Sequence, residues 1–179
     1  MDTSNFTNPE ANIAAFGTYE GMVVADFGAG TGAYTIPFAK RVGENGKVYA
    51  VEVQKEFLTN IKTAAVENGL KNVEVIWGDI ERLGGTKIKD ETVDAVVISN
   101  VLFQAEDKPG LIREAKRILK TGGKVLFIDW SESFNNLGPT PNMIISAPTA
   151  RALFEKEGFI VKKEIPASSH HYGFIMWKS

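Results

Sequence analysis

Residues 22–32 limit the fold more than any other stretch of the chain. Met22-Val23-Val24-Ala25-Asp26-Phe27 is an almost unbroken apolar run, as expected of a strand buried on both faces of a parallel sheet. It passes directly into Gly28-Ala29-Gly30-Thr31-Gly32 and then into a segment of helical period that reaches about Val42, where Gly43 stops it. A buried strand, a glycine turn and a helix form the first half of a βαβ unit. The next strand must then lie parallel to the first.

The chain repeats this alternation. Residues 47–53 read as a second strand, 56–68 as a helix closed by Gly69, 73–77 as a third strand and 92–99 as a fourth. A helix over about 108–119 ends toward Gly122-Gly123, and 124–129 form a fifth strand. Upstream, Asn8-Pro9-Glu10 has the form of a helix N-cap with proline in the first turn, opening a short helix that closes near Phe16-Gly17. Downstream, 149–157 read as a helix and 158–165 and 172–177 as strands. The link between those strands, with Pro166-Ala167-Ser168-Ser169-His170 as its loop, is too short for a crossover, so they pair antiparallel. Residues 130–148, rich in Gly, Pro, Ser and Asn, form a long loop. That loop and the helical extension over 1–17 are the candidate lids.

With 179 residues and a 44% hydrophobic fraction the chain suits one compact domain spanning 1–179. The absence of cysteine removes disulfides, thiolate metal sites and thiol nucleophiles, and no metal site is expected. No apolar run approaches the ~20 residues that span a bilayer, and Met1-Asp2-Thr3-Ser4-Asn5 lacks the form of a signal peptide. The expected location is the cytoplasm. A net charge of −2 without a dense Lys/Arg cluster favours a small-molecule partner over nucleic acid.

A Gly-x-Gly-x-Gly turn lets backbone approach a ligand closely and can aim helix N-terminal N–H groups at it, though it can equally be a tight turn without a ligand. The dinucleotide fingerprint Gly-x-Gly-x-x-Gly is not met, because Gly32 comes one residue early. Asp26, at the end of the first strand, disfavours a pyrophosphate and suits a ligand with ammonium and sulfonium charges; alternatively it braces the turn. Glu52 ends the second strand ~20 residues further on, where a carboxylate can accept both hydroxyls of a ribose. Asp79, after the third strand, can accept from an adenine amino group with Ile80 packed on the ring, or can cap the next segment. All three fall at the carboxyl ends of strands, where open α/β sheets bind their ligands.

With these residues in hand, the sequence resembles the class I S-adenosylmethionine-dependent methyltransferases. The resemblance rests on Val23-Val24-Ala25-Asp26-Phe27-Gly28-Ala29-Gly30-Thr31-Gly32, Glu52, Gly78-Asp79-Ile80, Val93-Asp94-Ala95-Val96-Val97 and Leu119-Lys120-Thr121-Gly122-Gly123-Lys124. It covers nearly all of the chain after Gly17 and is nearest to the branch of quinone-biosynthesis and other small-molecule methyltransferases. It implies a Rossmann-like three-layer α/β sandwich with a seven-stranded, mostly parallel sheet ordered 3-2-1-4-5-7-6, strand seven antiparallel. It implies S-adenosylmethionine as cofactor and S-adenosylhomocysteine as product. Gly28, Ala29, Gly30 and Gly32 would line the methionine and ribose portion, Glu52 with Val53 the ribose, Asp79 and Ile80 the adenine, and Ser99 and Asn100 the methionine end. The Asn-Pro-Pro-Tyr type motif of amino-methylating enzymes is replaced by Ser99-Asn100-Val101-Leu102-Phe103-Gln104, which counts against methylation of base nitrogens.

Methyl transfer is an in-line displacement at an activated sulfonium, so alignment matters most and a base is needed only where the acceptor must lose a proton. His170 and His171, the only histidines, emerge on the cofactor edge as candidate bases or as polar residues of an exposed hairpin. Asp129 and Trp130 end the fifth strand on that edge. Gln104 and Trp130 are candidate acceptor-pocket residues; alternatively Gln104 caps its segment and Trp130 packs a lid. Without cysteine, arsenic methylation and cysteine-based carbon methylation are excluded. The rival readings are a non-catalytic S-adenosylmethionine-binding module, an RNA methyltransferase and, against the glycine spacing, an NAD-dependent oxidoreductase.

Overall fold

The computed structural model describes residues 7–134 and 138–179. The first six residues of the N-terminal extension and residues 135–137 of the long loop lie outside the described residues. In chain order the elements are α1 (Pro9–Phe16), β1 (Val23–Phe27), α2 (Thr35–Val42), β2 (Lys47–Glu52), α3 (Lys55–Glu67), β3 (Val73–Trp77), β4 (Val93–Ser99), α4 (Lys108–Ile118), β5 (Leu119–Trp130), α5 (Ala147–Lys156), β6 (Phe159–Ser168) and β7 (His171–Lys178). The seven strands form one sheet in the order β3-β2-β1-β4-β5-β7-β6. Strands β1 to β5 pair parallel, while β7 runs antiparallel to both β5 and β6. This is the order that the resemblance implies.

Alternation along the strands divides the core. Ala25, Phe27, Val96, Ile98, Val125 and Phe127 face α4 and α5, packing on Leu111, Ile112, Ala115 and Phe154. Val24, Val97, Leu126, Ile128 and Ile175 face the other way, against Ile13 and Phe16 of α1 and Phe38 of α2. Because β1 to β3 grow outward in one direction and β4 to β7 in the other, the switch point falls between β1 and β4, and a crevice opens above their carboxyl ends.

Local chemistry explains the ends of the elements. The Asn8 side chain accepts from the Ala11 amide at 3.0 Å and Pro9 occupies the first turn of α1, while Gly17 closes it at φ 75°. Two boundaries differ from expectation. Helix α4 stops at Ile118, because buried Leu119 already pairs with Val93; residues 120–123 then bulge before Lys124 re-enters the ladder opposite Ala95. Strands β6 and β7 are longer than predicted, so the 166–170 loop shrinks to Ser169 and His170. Pro166 is tolerated inside β6 because β6 is an edge strand, and the ladder there is irregular between Ile165 and Ser168.

Candidate functional site

A cavity of about 450 Å³ opens at the switch point, within the roughly 300–1,000 Å³ typical of small-molecule sites. Asp26, Gly28, Ala29, Gly30, Glu52, Val53, Asp79, Ile80, Ser99, Asn100 and Gln104 all line it. A larger cleft of about 860 Å³ lies at the opposite edge, between residues 39–47 and 69–74. It holds none of the strand-end carboxylates and sits at the amino ends of β2 and β3, so the smaller cavity is the candidate site.

The glycine turn is held from within. The Gly28 and Ala29 amides donate to the Val51 carbonyl at 2.9 and 3.1 Å, the Gly32 amide to Ala29 at 2.8 Å, and the Gly30 amide to Glu52 Oε2 at 3.0 Å. The expectation that the turn presents these N–H groups to a ligand is corrected for these four: β2 takes up three of them and the turn itself the fourth. The amides of Thr31 and Ala33, which also line the cavity, have no acceptor among the described residues. Gly28, Gly30 and Gly32 have φ of 66°, 52° and 82°, which only glycine adopts readily. Gly28 abuts Val101, a Cβ there falling 2.8 Å from Val101 Cγ2, whereas Gly30 has nothing nearer than 3.8 Å where a Cβ would stand. Gly32 does not line the cavity; it packs toward Ile61.

The three carboxylates differ. Glu52, 6% exposed, also accepts from the Val53 and Gln54 amides through Oε1 at 2.8 and 3.0 Å, so it ties β2, the start of α3 and the glycine turn together. Asp26 accepts from the Thr35 hydroxyl at 2.6 Å, bracing the strand against the first turn of α2. Burial pushes Asp26 up to about 6 against the Thr35 hydrogen bonds. A cation placed beside it would reverse that shift. Asp79 accepts the Glu81 amide through Oδ1 at 2.9 Å, capping the next segment, and Oδ2 meets no donor among the described residues.

Asn100 turns the chain away from β4 in a left-handed conformation, φ 57°, with its amide bonded to Ile128 O at 2.9 Å. Its Oδ1 is buried with no partner among the described residues. At the wall of a cavity such an acceptor is open to a ligand donor. Gln104 is exposed and donates to Asn100 O at 3.4 Å, bracing this turn.

The acceptor-side candidates separate. His170 Nδ1 lies 2.7 Å from Glu132 Oε1 and its ring stacks on Phe134 at 4.0 Å, tying the hairpin turn to the segment after β5. His171 is buried, with Nδ1 2.7 Å from Ser168 Oγ and its ring 4.2 Å from that of Trp130. Burial first, and neighbouring His170 second, pull its pKa down to about 4, so it is a neutral imidazole and a weak base. Neither histidine nor Trp130 lines the cavity. Asp129, 1% exposed, is pushed up to about 7 by burial, yet both of its oxygens accept backbone amides, from Trp130 at 2.8 Å and Phe103 at 3.1 Å.

Sequence reasoning missed Tyr34, whose hydroxyl accepts from Asn12 Nδ2 at 3.0 Å and whose pKa burial raises to about 12. It also missed Thr7, Thr31, Gln54 and Phe57, further lining residues. Tyr34 sits two residues past Gly32, where no sequence pattern separates a cavity wall from core.

Residues 19–167 match the family model described as a methyltransferase domain. The chain is 32% identical over 121 residues to the ubiquinone/menaquinone biosynthesis C-methyltransferase UbiE of Idiomarina loihiensis, covering 67% of this chain and 47% of that protein. It thus spans about half the length of the curated relatives it matches. Among solved structures, a SAM dependent methyltransferase from Aquifex aeolicus superposes with a TM-score of 0.88 at 29% identity, over 97% of this chain and 90% of that one. An arsenic(III) S-adenosylmethionine methyltransferase from Chlamydomonas reinhardtii shares the fold, with a TM-score of 0.73 at 23% identity over 90% of this chain and 64% of that one.

Proposed function

The chain belongs to the methyltransferase-domain family, within the class I S-adenosylmethionine-dependent superfamily, and on that premise we propose that it methylates a small molecule. S-adenosylmethionine is the donor and S-adenosylhomocysteine the product. The observation that carries this reading is the switch-point cavity, which joins Asp26, Glu52 and Asp79 to an Asn100 oxygen that has no partner among the described residues. Such a lining suits a ligand rich in donors and positive charge and is ill matched to a pyrophosphate.

When bound, the donor supplies a methyl group already activated by its sulfonium charge. Glu52 would accept a ribose hydroxyl, beside Val53. Asp79 would accept from the adenine amine and Ile80 would pack on the ring. Gly28, Ala29 and Gly30 would admit the donor close to the backbone, with Gly32 shaping the turn behind them. Asp26 would offset positive charge, and Ser99 with Asn100 would hold the methionine end. The chain's own contribution to the reaction is alignment and exclusion of water, since the leaving group needs no proton. The relatives' name makes carbon methylation the first chemistry to test, by a route that uses no cysteine. Among the described residues no helix is long and apolar enough to cross a membrane; action on a small molecule in the cytoplasm, by one domain over 1–179, completes the proposal.

Calorimetry with S-adenosylhomocysteine and with NAD tests the donor site; binding of NAD and not of S-adenosylhomocysteine overturns it. Incubation with methyl-labelled donor and fractionated extract tests the transfer. Label is expected in a small-molecule fraction. Label in RNA redirects the reading to nucleic acid, and donor binding without label in any fraction identifies a non-catalytic module.

A further inference from the structure

A second cleft, of about 540 Å³, opens beside the end of the edge strand β3. Val53, Trp77 and Leu83 line it while 53%, 56% and 70% exposed, together with Arg82 and Lys87. It shares only Val53 and Asp79 with the donor cavity. The other large apolar side chains exposed among the described residues, Tyr19, Val66, Met143 and Ile160, do not line it. Single exposed apolar residues need no explanation, but three gathered around one cleft mark a contact surface.

The walls of this cleft are fixed. The segment after β3 folds back on itself, with the Asp79 amide donating to Gly85 O at 3.1 Å, that of Gly85 to Arg82 O at 2.8 Å and that of Lys87 to Gly84 O at 3.1 Å. Beneath it the fully buried Glu114 accepts from the Gly84 amide at 2.7 Å and the Thr86 hydroxyl at 2.6 Å, and pairs with Arg117 at 2.7 Å. The indole N–H of Trp77 donates to Val53 O at 3.0 Å, which holds the ring in place. Lys87 has φ 60°, a conformation that long side chains rarely adopt, and its ammonium donates to Trp77 O at 2.6 Å. A surface held in this way loses little freedom when a partner docks.

The charges name the partner. The Lys55 and Lys87 ammonium groups each stand 5.2 Å from the centre of the Trp77 ring, and Arg82 joins them from the loop. None of the three has a carboxylate partner among the described residues. Asp79 is the one carboxylate lining the cleft; nearby, Glu52 and Glu81 turn theirs to backbone amides, and Glu56 follows Lys55 on the first turn of α3. Three cations against one lining carboxylate leave like charges around a single ring without the anion that would offset their repulsion. We propose that the cleft docks an acidic segment of a partner protein. One large apolar side chain of that segment enters between Val53, Trp77 and Leu83, and the carboxylates flanking it meet Lys55, Arg82 and Lys87. A concave apolar floor suits a side chain better than a flat bilayer, and the two lysines over the indole compete with stacking of a nucleobase.

The test uses the full chain labelled with nitrogen-15 and titrated with three capped peptides, Asp-Glu-Phe-Glu-Asp, Lys-Lys-Phe-Lys-Lys and Asp-Glu-Ser-Glu-Asp. The first is expected to shift the Trp77 indole N–H and the Leu83 and Lys87 amides saturably, more weakly as salt rises. The basic peptide should leave them in place, and the serine peptide should bind less tightly. Lys55→Glu combined with Arg82→Glu should weaken the first peptide by about tenfold, and Leu83→Ser, at the loop tip, by roughly fivefold. No saturable shift, an equal response to the basic peptide, or undiminished binding by either variant overturns the proposal; the wild-type titration decides by itself if a variant fails to fold. Shifts confined to Gly30 and Asn100 place the peptide in the donor cavity and overturn docking at the cleft. Phosphatidylglycerol vesicles or oligouridylate that move the cleft resonances at lower concentration than the peptide overturn a protein partner.

Discussion

Glu52→Ala tests the donor site most directly, because Glu52 has two separable tasks. Its oxygens accept three backbone amides, from Gly30, Val53 and Gln54, at 2.8 to 3.0 Å. Of the four lone-pair positions of the carboxylate, Oε1 uses two and Oε2 one, so Oε2 has room for one ribose hydroxyl. One lost hydrogen bond to a charged acceptor is worth about 1.5–3 kcal/mol, or roughly 10- to 150-fold in the dissociation constant. The structural loss is on the order of 1 kcal/mol, because Val53 and Gln54 are exposed and Gly30 is only partly buried, so the freed amides can turn to water. Glu52→Gln keeps one acceptor oxygen but must set its NH₂ against either Gly30 or the Val53 and Gln54 amides, so it should fall between wild type and alanine. Calorimetric titration with S-adenosylhomocysteine measures the affinities, and thermal denaturation of the ligand-free proteins measures the structural share. An unchanged dissociation constant in Glu52→Ala removes Glu52 from the ribose site and leaves it a brace for the turn.

Gly28→Ala and Gly69→Ala share an almost identical φ, 66° and 67°, but a Cβ at Gly28 meets Val101 at 2.8 Å while at Gly69 it meets nothing within 4 Å. Both lose about 1–2 kcal/mol to strain, and Gly28→Ala loses about 1–3 kcal/mol more to overpacking, seen as a lower melting temperature; equal melting points would refute the close-packing argument. Asp129 faces the Phe103 and Trp130 amides, Tyr172 of β7 and, more distantly, Lys108, and burial raises its pKa from 3.8 to about 7. Its contribution to stability is thus full below pH 3.8 and is lost as pH rises through about 7; Asp26, raised to about 6, acts in the same sense, and His171, lowered from 6.5 to about 4, in the opposite one. Two carboxylates outweigh one imidazole, so urea denaturation should show stability falling from pH 5 to 7.5, with a shallower slope in Asp129→Asn; a flat or rising wild-type profile contradicts the assignment.

The sheet was legible because its strands are continuous apolar runs broken by glycine, and buried parallel strands leave that pattern in any sequence. Asp26, Glu52 and Asp79 were legible for a related reason: each is a charged residue at the end of such a run, where the ligand edge must be. Tyr34 was not, since an aromatic at the start of a helix has no pattern that separates a cavity wall from core. The internal capture of the glycine-turn amides was equally hidden, because it depends on Glu52 reaching across from β2. The two adjacent histidines read alike in sequence. Only strand alternation, with β7 beginning at His171, buries one and leaves the other on the turn.

The turn after β4 and the β6–β7 hairpin are joined through the end of β5. Ile128 O receives the Asn100 amide, Asp129 receives that of Phe103, and the Ser131 amide donates to His170 O at 2.9 Å. The turn after β4, the end of β5 and the β6–β7 hairpin therefore form one hydrogen-bonded unit, and a displacement of one moves the others. A site built on strand ends in this way holds its groups more firmly than one hung on loops. Over this unit lie α1 and the segment after Trp130, where Gly138 lies against the Trp130 ring. The strand-end carboxylates follow apolar runs that the sequence shows directly, whereas no motif in these two segments names an acceptor, and that is why the donor could be read from sequence and the acceptor could not.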